Sequence, residues 1–130
     1  MAEYIPLFKP GNAVPRVASA TITAGQVLAV SGSGTVGPAG ANALNWVGVA
    51  GFDAASGDTV TTFAGGVQRL VASGGITAGD LVVCAASGAV STLAAVTTPT
   101  AGDVTNTRAI IGVALTTATT GNLVEVQILR

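Results

Sequence analysis

Apolar residues in this chain fall in short runs of four to seven residues, separated by glycine, serine, threonine and asparagine. The runs are rich in valine and isoleucine, and their length and β-branched content predict strands. No window of helical length shows apolar residues at a persistent helical spacing. The clearest predicted strands are VLAV (27–30), WVGVA (46–50), TVTTF (59–63), VQRLV (67–71), LVVC (81–84), AIIGVAL (109–115) and LVEVQIL (123–129).

The sequence contains an internal duplication. Residues 17–36 and 71–90 are identical at ten of twenty positions, at a constant offset of 54. Residues 47–60 align with 111–124 at an offset of 64, and the ten additional residues fall in a Thr-rich linker, 96–109. We predict that the two copies adopt the same hairpins and share one continuous core, and that the linker is a long exposed loop.

Glycines mark the predicted turns of both copies. The two ITAG tetrads, ASGD and TTGN have the composition of tight turns in which glycine takes a positive φ. The predicted turn positions are Gly25, Gly34, Gly57, Gly79, Gly88 and Gly121. Eight to ten short strands joined by such turns predict an all-β fold, a single small barrel or sandwich. We assign it to residues 17–130, as repeats 17–70 and 71–130, preceded by an extended N-terminal arm, 1–16.

One glycine-rich stretch imitates a cofactor motif. Gly32, Gly34 and Gly37 have the G-x-G-x-x-G spacing of dinucleotide-binding turns. That motif binds a pyrophosphate only where a helix opens directly behind it, and here Pro38-Ala39-Gly40 follows. The second copy retains only Gly88 at the aligned positions. We therefore interpret the motif as a hairpin turn with surplus glycines.

The chain has few residues suited to catalysis. It has no histidine, six scattered carboxylates and one cysteine, Cys84, inside an apolar run where a buried position is expected. Asp58, Asp80 and Asp103 each follow a glycine and are interpreted as turn residues. We predict a protein that is not an enzyme and that uses no metal, cofactor or small-molecule substrate.

Charge and hydropathy narrow the partners further. The net charge is −1, charged residues make up 8% of the chain, and the five cations are spread along it, so nucleic acid is not an expected partner. The apolar runs are too short to span a membrane, and no secretory signal is visible at the N-terminus. Trp46 and Phe52, which flank the repeated GVA strand, are predicted to pack in the core.

The order of these signatures resembles the capsid decoration, or head cement, proteins of tailed bacteriophages. The resembling features are a proline-punctuated arm, ITAG before an apolar strand, and VGVA before a small-residue turn and G-D-x-V, between Val17 and Val126. The resemblance implies a β-clip-like virion protein that trimerises, binds the outer surface of the mature head and braces neighbouring major capsid protein subunits. The low-charge surface of small residues suits a protein covered by copies of itself and by a lattice.

The arm carries the densest group of large apolar side chains, and its three prolines, Pro6, Pro10 and Pro15, should keep it out of helices and central strands. We predict that it reaches a neighbouring subunit or the capsid; the alternative is that it folds back over an open end of the barrel. The predicted contact residues are Tyr4, Ile5, Pro6, Leu7, Phe8, Lys9 and Pro10.

Two other functions fit a β-rich chain of this composition. One is a secreted adhesin or surface-layer module, which the missing export signal counts against. The other is an ice-binding protein, suggested by the many threonines, but these lack a regular T-x-T spacing along successive strands.

Overall fold

The computed structural model describes residues 13–129, and these form an almost entirely β structure. The strands are β1 (Val14–Ala18), β2 (Val27–Gly32), β3 (Thr35–Pro38), β4 (Trp46–Ala50), β5 (Thr59–Phe63), β6 (Val67–Val71), β7 (Leu81–Cys84), β8 (Val90–Thr92), β9 (Ile110–Ala114) and β10 (Leu123–Ile128). A short helix, α1 (Ala101–Thr107), precedes β9, and a 3₁₀ turn (Ala86–Gly88) lies between β7 and β8. The all-β prediction is confirmed.

The ten strands form two five-stranded lobes in chain order. The N-terminal lobe is a closed barrel in the order β1-β3-β2-β4-β5, in which β1 runs parallel to β3 and antiparallel to β5. The C-terminal lobe has the equivalent order, β6-β10-β9-β7-β8. One parallel bridge, Ala72 to Val90, matches the Ala18–Val36 pair that closes the barrel. The duplication in the sequence is therefore a duplication of the whole five-stranded unit.

The lobes repeat each other down to single backbone hydrogen bonds. The Gly25 amide donates to the Ala50 carbonyl at 2.9 Å, and the Gly79 amide donates to the Ala114 carbonyl at 2.7 Å. The buried centre of the barrel and its C-terminal counterpart also agree, and six of the seven residue types are identical. They are Ala18, Ile22, Leu28, Val36, Ala50, Ala54 and Val60 in one lobe and Ala72, Ile76, Val82, Val90, Ala114, Ala118 and Val124 in the other.

The turn glycines take the predicted conformation. Gly25 and Gly79 have φ of +86° and +96°, a region that costs other residues energy. Gly34, Gly57, Gly88 and Gly121 also have positive φ. The hairpin tips differ in length, since β2 and β3 are joined by two residues, whereas the 3₁₀ turn separates β7 from β8. The prediction for all six glycines is confirmed.

Two of the three predicted turn carboxylates close a turn by accepting a backbone hydrogen bond. Asp80 accepts from the Thr77 amide at 3.0 Å and from the Thr92 hydroxyl at 2.8 Å, and these bonds hold the pKa of its carboxyl below the usual range. Asp58 accepts from the Ala55 amide at 3.2 Å.

The linker 96–109 contains a helix instead of being wholly a loop. The Thr100 amide and hydroxyl both donate to the Asp103 carboxylate, at 2.7 and 2.9 Å, at the N-terminus of α1. The turn interpretation of Asp103 is therefore wrong, because this carboxylate caps a helix. The seven helical residues bury no side chain, so the predicted exposure of the segment holds except at its last residue, Ala109, which is buried.

The seven predicted strands are all present, and the structure has three further strands, β1, β3 and β8. Pro15 lies within β1, although the prolines of the arm were expected outside central strands. The physical reason is that β1 pairs with β5 from Val14 to Val17 but reaches β3 only at Val17 and Ala18. At Pro15 the strand thus has a neighbour on one side only, where a missing amide is tolerated.

The predicted core positions hold with one exception. Cys84 and Trp46 are buried in a cluster that crosses from one lobe to the other, while a second cluster is confined to the N-terminal barrel. Phe52 is 48% exposed, so its core assignment is wrong. It lies in a bend just after the end of β4, outside the strand. Phe63 is also exposed, and its ring lies against Gly51.

Close strand approach at Gly48 and Gly112 generates a test of the duplicated fold. A Cβ at Gly112 would collide with the Gln127 carbonyl oxygen of β10, and one at Gly48 would collide with the Phe63 carbonyl oxygen of β5. We expect Gly112→Ala to lower the free energy of unfolding by about 1–3 kcal/mol, measured by urea denaturation, because backbone must shift to accept the methyl group. Gly75→Ala, in open space without a positive φ, is the control and should change it by less than about 0.5 kcal/mol. Equal effects of the two substitutions would contradict this account.

Candidate interaction site

The carboxylates of the described residues serve the scaffold. Over residues 13–129 no group of three or more His, Cys, Asp or Glu side chains is placed to hold a metal ion. Asp53 accepts a hydrogen bond from the Ala24 amide at 2.8 Å. At the equivalent turn of the other lobe, the Thr117 hydroxyl accepts one from the Ala78 amide at 3.1 Å. Glu125 faces Arg69 at 3.9 Å across two exposed strand positions, where an ion pair contributes little. These side chains fix turns and strand pairs.

A cavity opens at one end of the N-terminal barrel, and we call it the open end. It has a volume of about 390 Å³. It arises because β1 extends beyond the point where its pairing with β3 stops, so the two strands separate towards the β2–β3 hairpin tip. Its lining residues are Val14, Arg16, Val30, Gly34, Thr35, Val36, Val47, Thr62 and Ala64.

The open end combines apolar walls with a few polar groups. Val30 and Val47 expose 46% and 37% of their surface. The Arg16 guanidinium donates to the Pro15 carbonyl at 3.2 Å. Thr62 is 4% exposed, and its hydroxyl has no hydrogen-bond partner within residues 13–129. An apolar concavity with a few polar groups is suited to binding another molecule or chain segment.

A second exposed apolar surface lies on the outer face of the C-terminal lobe. Val71 and Leu123 are directly paired across β6 and β10, and both are exposed. The Arg69–Glu125 pair is the next outward-facing pair of the same two strands. This face and the open end give the chain two separate surfaces that a partner can cover.

The predicted binding residues fall in two groups. Tyr4, Ile5, Pro6, Leu7, Phe8, Lys9 and Pro10 lie outside the described residues, so their contact role stays a prediction. The six turn glycines shape the loops and do not all meet at one site: Gly34 borders the open end, whereas Gly25 and Gly88 line a different cavity. The sequence does not reveal the open end, because its lining comes from five strands whose pairing the residue pattern does not assign.

Comparison with known proteins identifies the class of molecule to which this scaffold belongs. A family model described as "phage cement protein" matches residues 8–128. The chain belongs to the phage cement protein family. It is a structural protein of the phage head and a component of the virion capsid, and the family is not known for enzymes.

A solved structure supports the fold. The crystal structure of "head fiber gp8.5 N base in bacteriophage phi29" aligns with a TM-score of 0.66 and 20% sequence identity, covering 90% of this chain and 92% of that one. At this identity the likeness concerns the fold. A comparison with curated protein sequences finds no match. None of the helices in the described part of the chain is long and apolar enough to span a membrane.

The buried hydroxyl of Thr62 generates a stability prediction. Its counterpart in the C-terminal lobe is Val126, since Thr62 pairs with Val14 as Val126 pairs with Gln68. We expect Thr62→Val to raise the free energy of unfolding by about 1 kcal/mol, because it removes a buried polar atom and keeps the shape of the side chain. Thermal and urea denaturation measure the change, with the half-buried Thr61→Val as control. A loss of stability in Thr62→Val alone would mean that the hydroxyl forms a bond essential to the fold.

Proposed function

We propose that this chain binds the outer surface of the mature phage head as a homotrimer and stabilises the capsid lattice by bridging neighbouring major capsid protein subunits. The observation that carries the proposal is the family match over residues 8–128, which covers both lobes and nearly the whole chain. A protein that joins subunits acts through its surfaces, and the carboxylates of the described residues lie in turns, at a helix start and in a strand pair.

The exposed surface supports this role. Large apolar side chains are exposed on both lobes, among them Val30 and Val47 at the open end and Val71 and Leu123 on the outer face of the C-terminal lobe. Few charges interrupt them, since charged residues make up 8% of the chain. Several apolar surfaces on one small protein permit several weak contacts at once, and such contacts add to a lasting attachment on a lattice.

The N-terminal arm is the proposed capsid-contacting segment. The arm joins the barrel at Val14, and Val14 lines the open end, so the attachment point of the arm borders an exposed apolar surface. We propose that Tyr4, Ile5, Leu7 and Phe8 fill pockets on the capsid or on a neighbouring subunit, with Pro6, Lys9 and Pro10 between and beside them. Each large side chain so buried contributes on the order of 1.5–3 kcal/mol before ordering costs are subtracted.

Co-sedimentation of the purified protein with undecorated heads tests head binding and the role of the arm. We expect the full chain to sediment with heads, and a chain lacking residues 2–10 to remain in the supernatant. Thermal unfolding of the free truncated protein should be nearly unchanged, because the deleted residues act on the partner. A truncated protein that unfolds more easily and still decorates heads would place the arm in the core. Failure of the full chain to bind any head would contradict the proposed function itself.

The oligomeric state is tested separately in solution. The 8% charge content and the exposed apolar surfaces favour coverage by a second copy of the chain. Light scattering coupled to size-exclusion chromatography should give about three times 12.5 kDa. A monomer at high protein concentration would contradict a preformed trimer while leaving head binding untouched.

A further inference from the structure

The two lobes of the chain pack against each other head to tail. A cluster of buried side chains joins Val27, Trp46 and Val49 of the N-terminal lobe to the C-terminal lobe. The covered residues on the C-terminal side include Leu70, Cys84, Ile111, Val126 and Ile128. The contact therefore uses different surfaces of two lobes that have the same fold.

Backbone contacts reinforce this internal interface. The Gln26 side-chain amide donates to the Ser87 carbonyl at 2.9 Å, and the Gly88 amide donates to the Ala39 carbonyl at 2.9 Å. Gly88 lies so close to Gln26 that a Cβ on Gly88 would be 2.7 Å from the Gln26 Cβ. The end of the C-terminal lobe is thus closed by a face of the N-terminal lobe.

The open end of the N-terminal lobe is the counterpart of that covered surface. The two repeats align at an offset of 54 residues before the linker and 64 after it. By this alignment, the covered residues of the C-terminal lobe correspond to residues that line the cavity. The corresponding pairs are Leu70 with Arg16, Cys84 with Val30, Ile111 with Val47, Val126 with Thr62 and Ile128 with Ala64. One copy of the same surface is covered within the chain, and the other is exposed.

The opposite face shows the complementary asymmetry. Val27 of the N-terminal lobe is 1% exposed against the C-terminal lobe, whereas its counterpart Leu81 is 43% exposed. The counterparts of Trp46 and Val49 are Ile110 and Val113, and both are half-buried. We call the residues Leu81, Ile110 and Val113 the docking face; it is distinct from the Val71 and Leu123 surface described above. The N-terminal lobe therefore exposes the open end, and the C-terminal lobe exposes the docking face.

We propose that the open end of the N-terminal lobe binds the docking face of a second copy of this chain. The contact between copies would then repeat the contact that joins the two lobes within one copy. This inference rests on the self-association in the proposed function and is independent of the capsid contact. A head-to-tail contact uses different surfaces on its two sides, and repetition generates a ring when the rotation between copies closes.

The substituted residues are compatible with such a contact. Asp80 replaces Gln26 beside the docking face, and Arg16 replaces Leu70 in the cavity, so the two surfaces carry charges of opposite sign. Val30 and Val47 form an apolar wall of the cavity, and their counterparts Cys84 and Ile111 are buried in the contact between the lobes. Leu81 supplies a larger apolar side chain than Val27 for the same position.

Two charge substitutions test the proposal from both sides. Val47→Asp places a carboxylate in the cavity, and Leu81→Asp places one on the docking face; both positions are exposed in a single chain, so the fold should tolerate them. At a concentration where the unmodified protein is assembled, each variant should associate at least tenfold more weakly by light scattering. Val104→Asp, at an exposed apolar position of α1 that belongs to none of these surfaces, should associate as the unmodified protein does.

Mixing the two variants distinguishes a head-to-tail contact from other interfaces. The Val47→Asp chain keeps an intact docking face and the Leu81→Asp chain keeps an intact cavity, so an equimolar mixture contains one functional pairing. We expect a species of two chains and none larger. Thermal unfolding of each variant alone verifies the fold, and Val30→Asp, on another wall of the cavity, is the second variant if Val47→Asp is unstable.

Each alternative outcome overturns the assignment in a distinct way. If the unmodified protein associates and the Asp variants associate equally well, the interface is wrong and the proposed function stands. If deletion of residues 2–10 and Val47→Asp cause the same loss of thermal stability without a change of mass, the arm of the same chain occupies the cavity. If the unmodified protein is a monomer both in solution and on heads, the contact and the proposed trimer fail together, while head binding remains a separate result.

Discussion

Each lobe depends on the packing of seven small or medium apolar side chains at equivalent positions, mostly alanine, valine and isoleucine. Such side chains fill little volume, so the strands around them must lie close together to leave no cavity. Gly48 and Gly112 permit this approach, because at each a Cβ would meet a carbonyl oxygen of the adjacent strand. Turn glycines with positive φ then set where each strand ends. The same constraint acts in both lobes, which have the same strand order.

A duplicated unit that packs head to tail is asymmetric by construction. In the internal contact the C-terminal lobe contributes the end of its sheet, and the N-terminal lobe contributes the face that covers this end. The same two surfaces on the opposite lobes stay uncovered. The surfaces have diverged accordingly, since Leu70 and Val126 are buried at the internal contact whereas Arg16 and Thr62 line an exposed cavity. The structural difference between the lobes thus lies in their surfaces, while their centres remain nearly identical. We propose that these surfaces carry the contacts of the protein on the phage head.

The sequence was most informative where a conformation depends on neighbouring residues. Seven strands, six turn glycines and the duplication follow from β-branched runs and glycine positions, and the structure has all of them. The sequence does not predict β1, because it contains Pro15. A proline is accepted at this strand position only because β3 does not extend alongside it, and this depends on the strand pairing. The Thr100–Asp103 capping box starts a helix shorter than any window in which an apolar period can be recognised. Phe52 was misplaced because the bend after β4 was not anticipated.

The open end was beyond sequence analysis for a different reason. Val30, Val47 and Thr62 come from three strands, and their common position depends on strand order and on where β1 separates from β3. The duplication pairs Val47 with Ile111 from the sequence alone, but it does not reveal that Ile111 is covered by the other lobe. Interpretation of the cavity therefore required both the internal repeat and the three-dimensional packing of the two lobes.

Electron cryomicroscopy of heads reconstituted with the purified protein tests the central claim most directly. The account predicts density on the outer surface of the capsid in which the N-terminal lobe of each copy receives the Leu81 face of a neighbouring copy, so that lobes alternate around a closed ring. Undecorated heads provide the reference map. Isolated copies with the open end facing solvent, or copies related by contact of two identical surfaces, would contradict it.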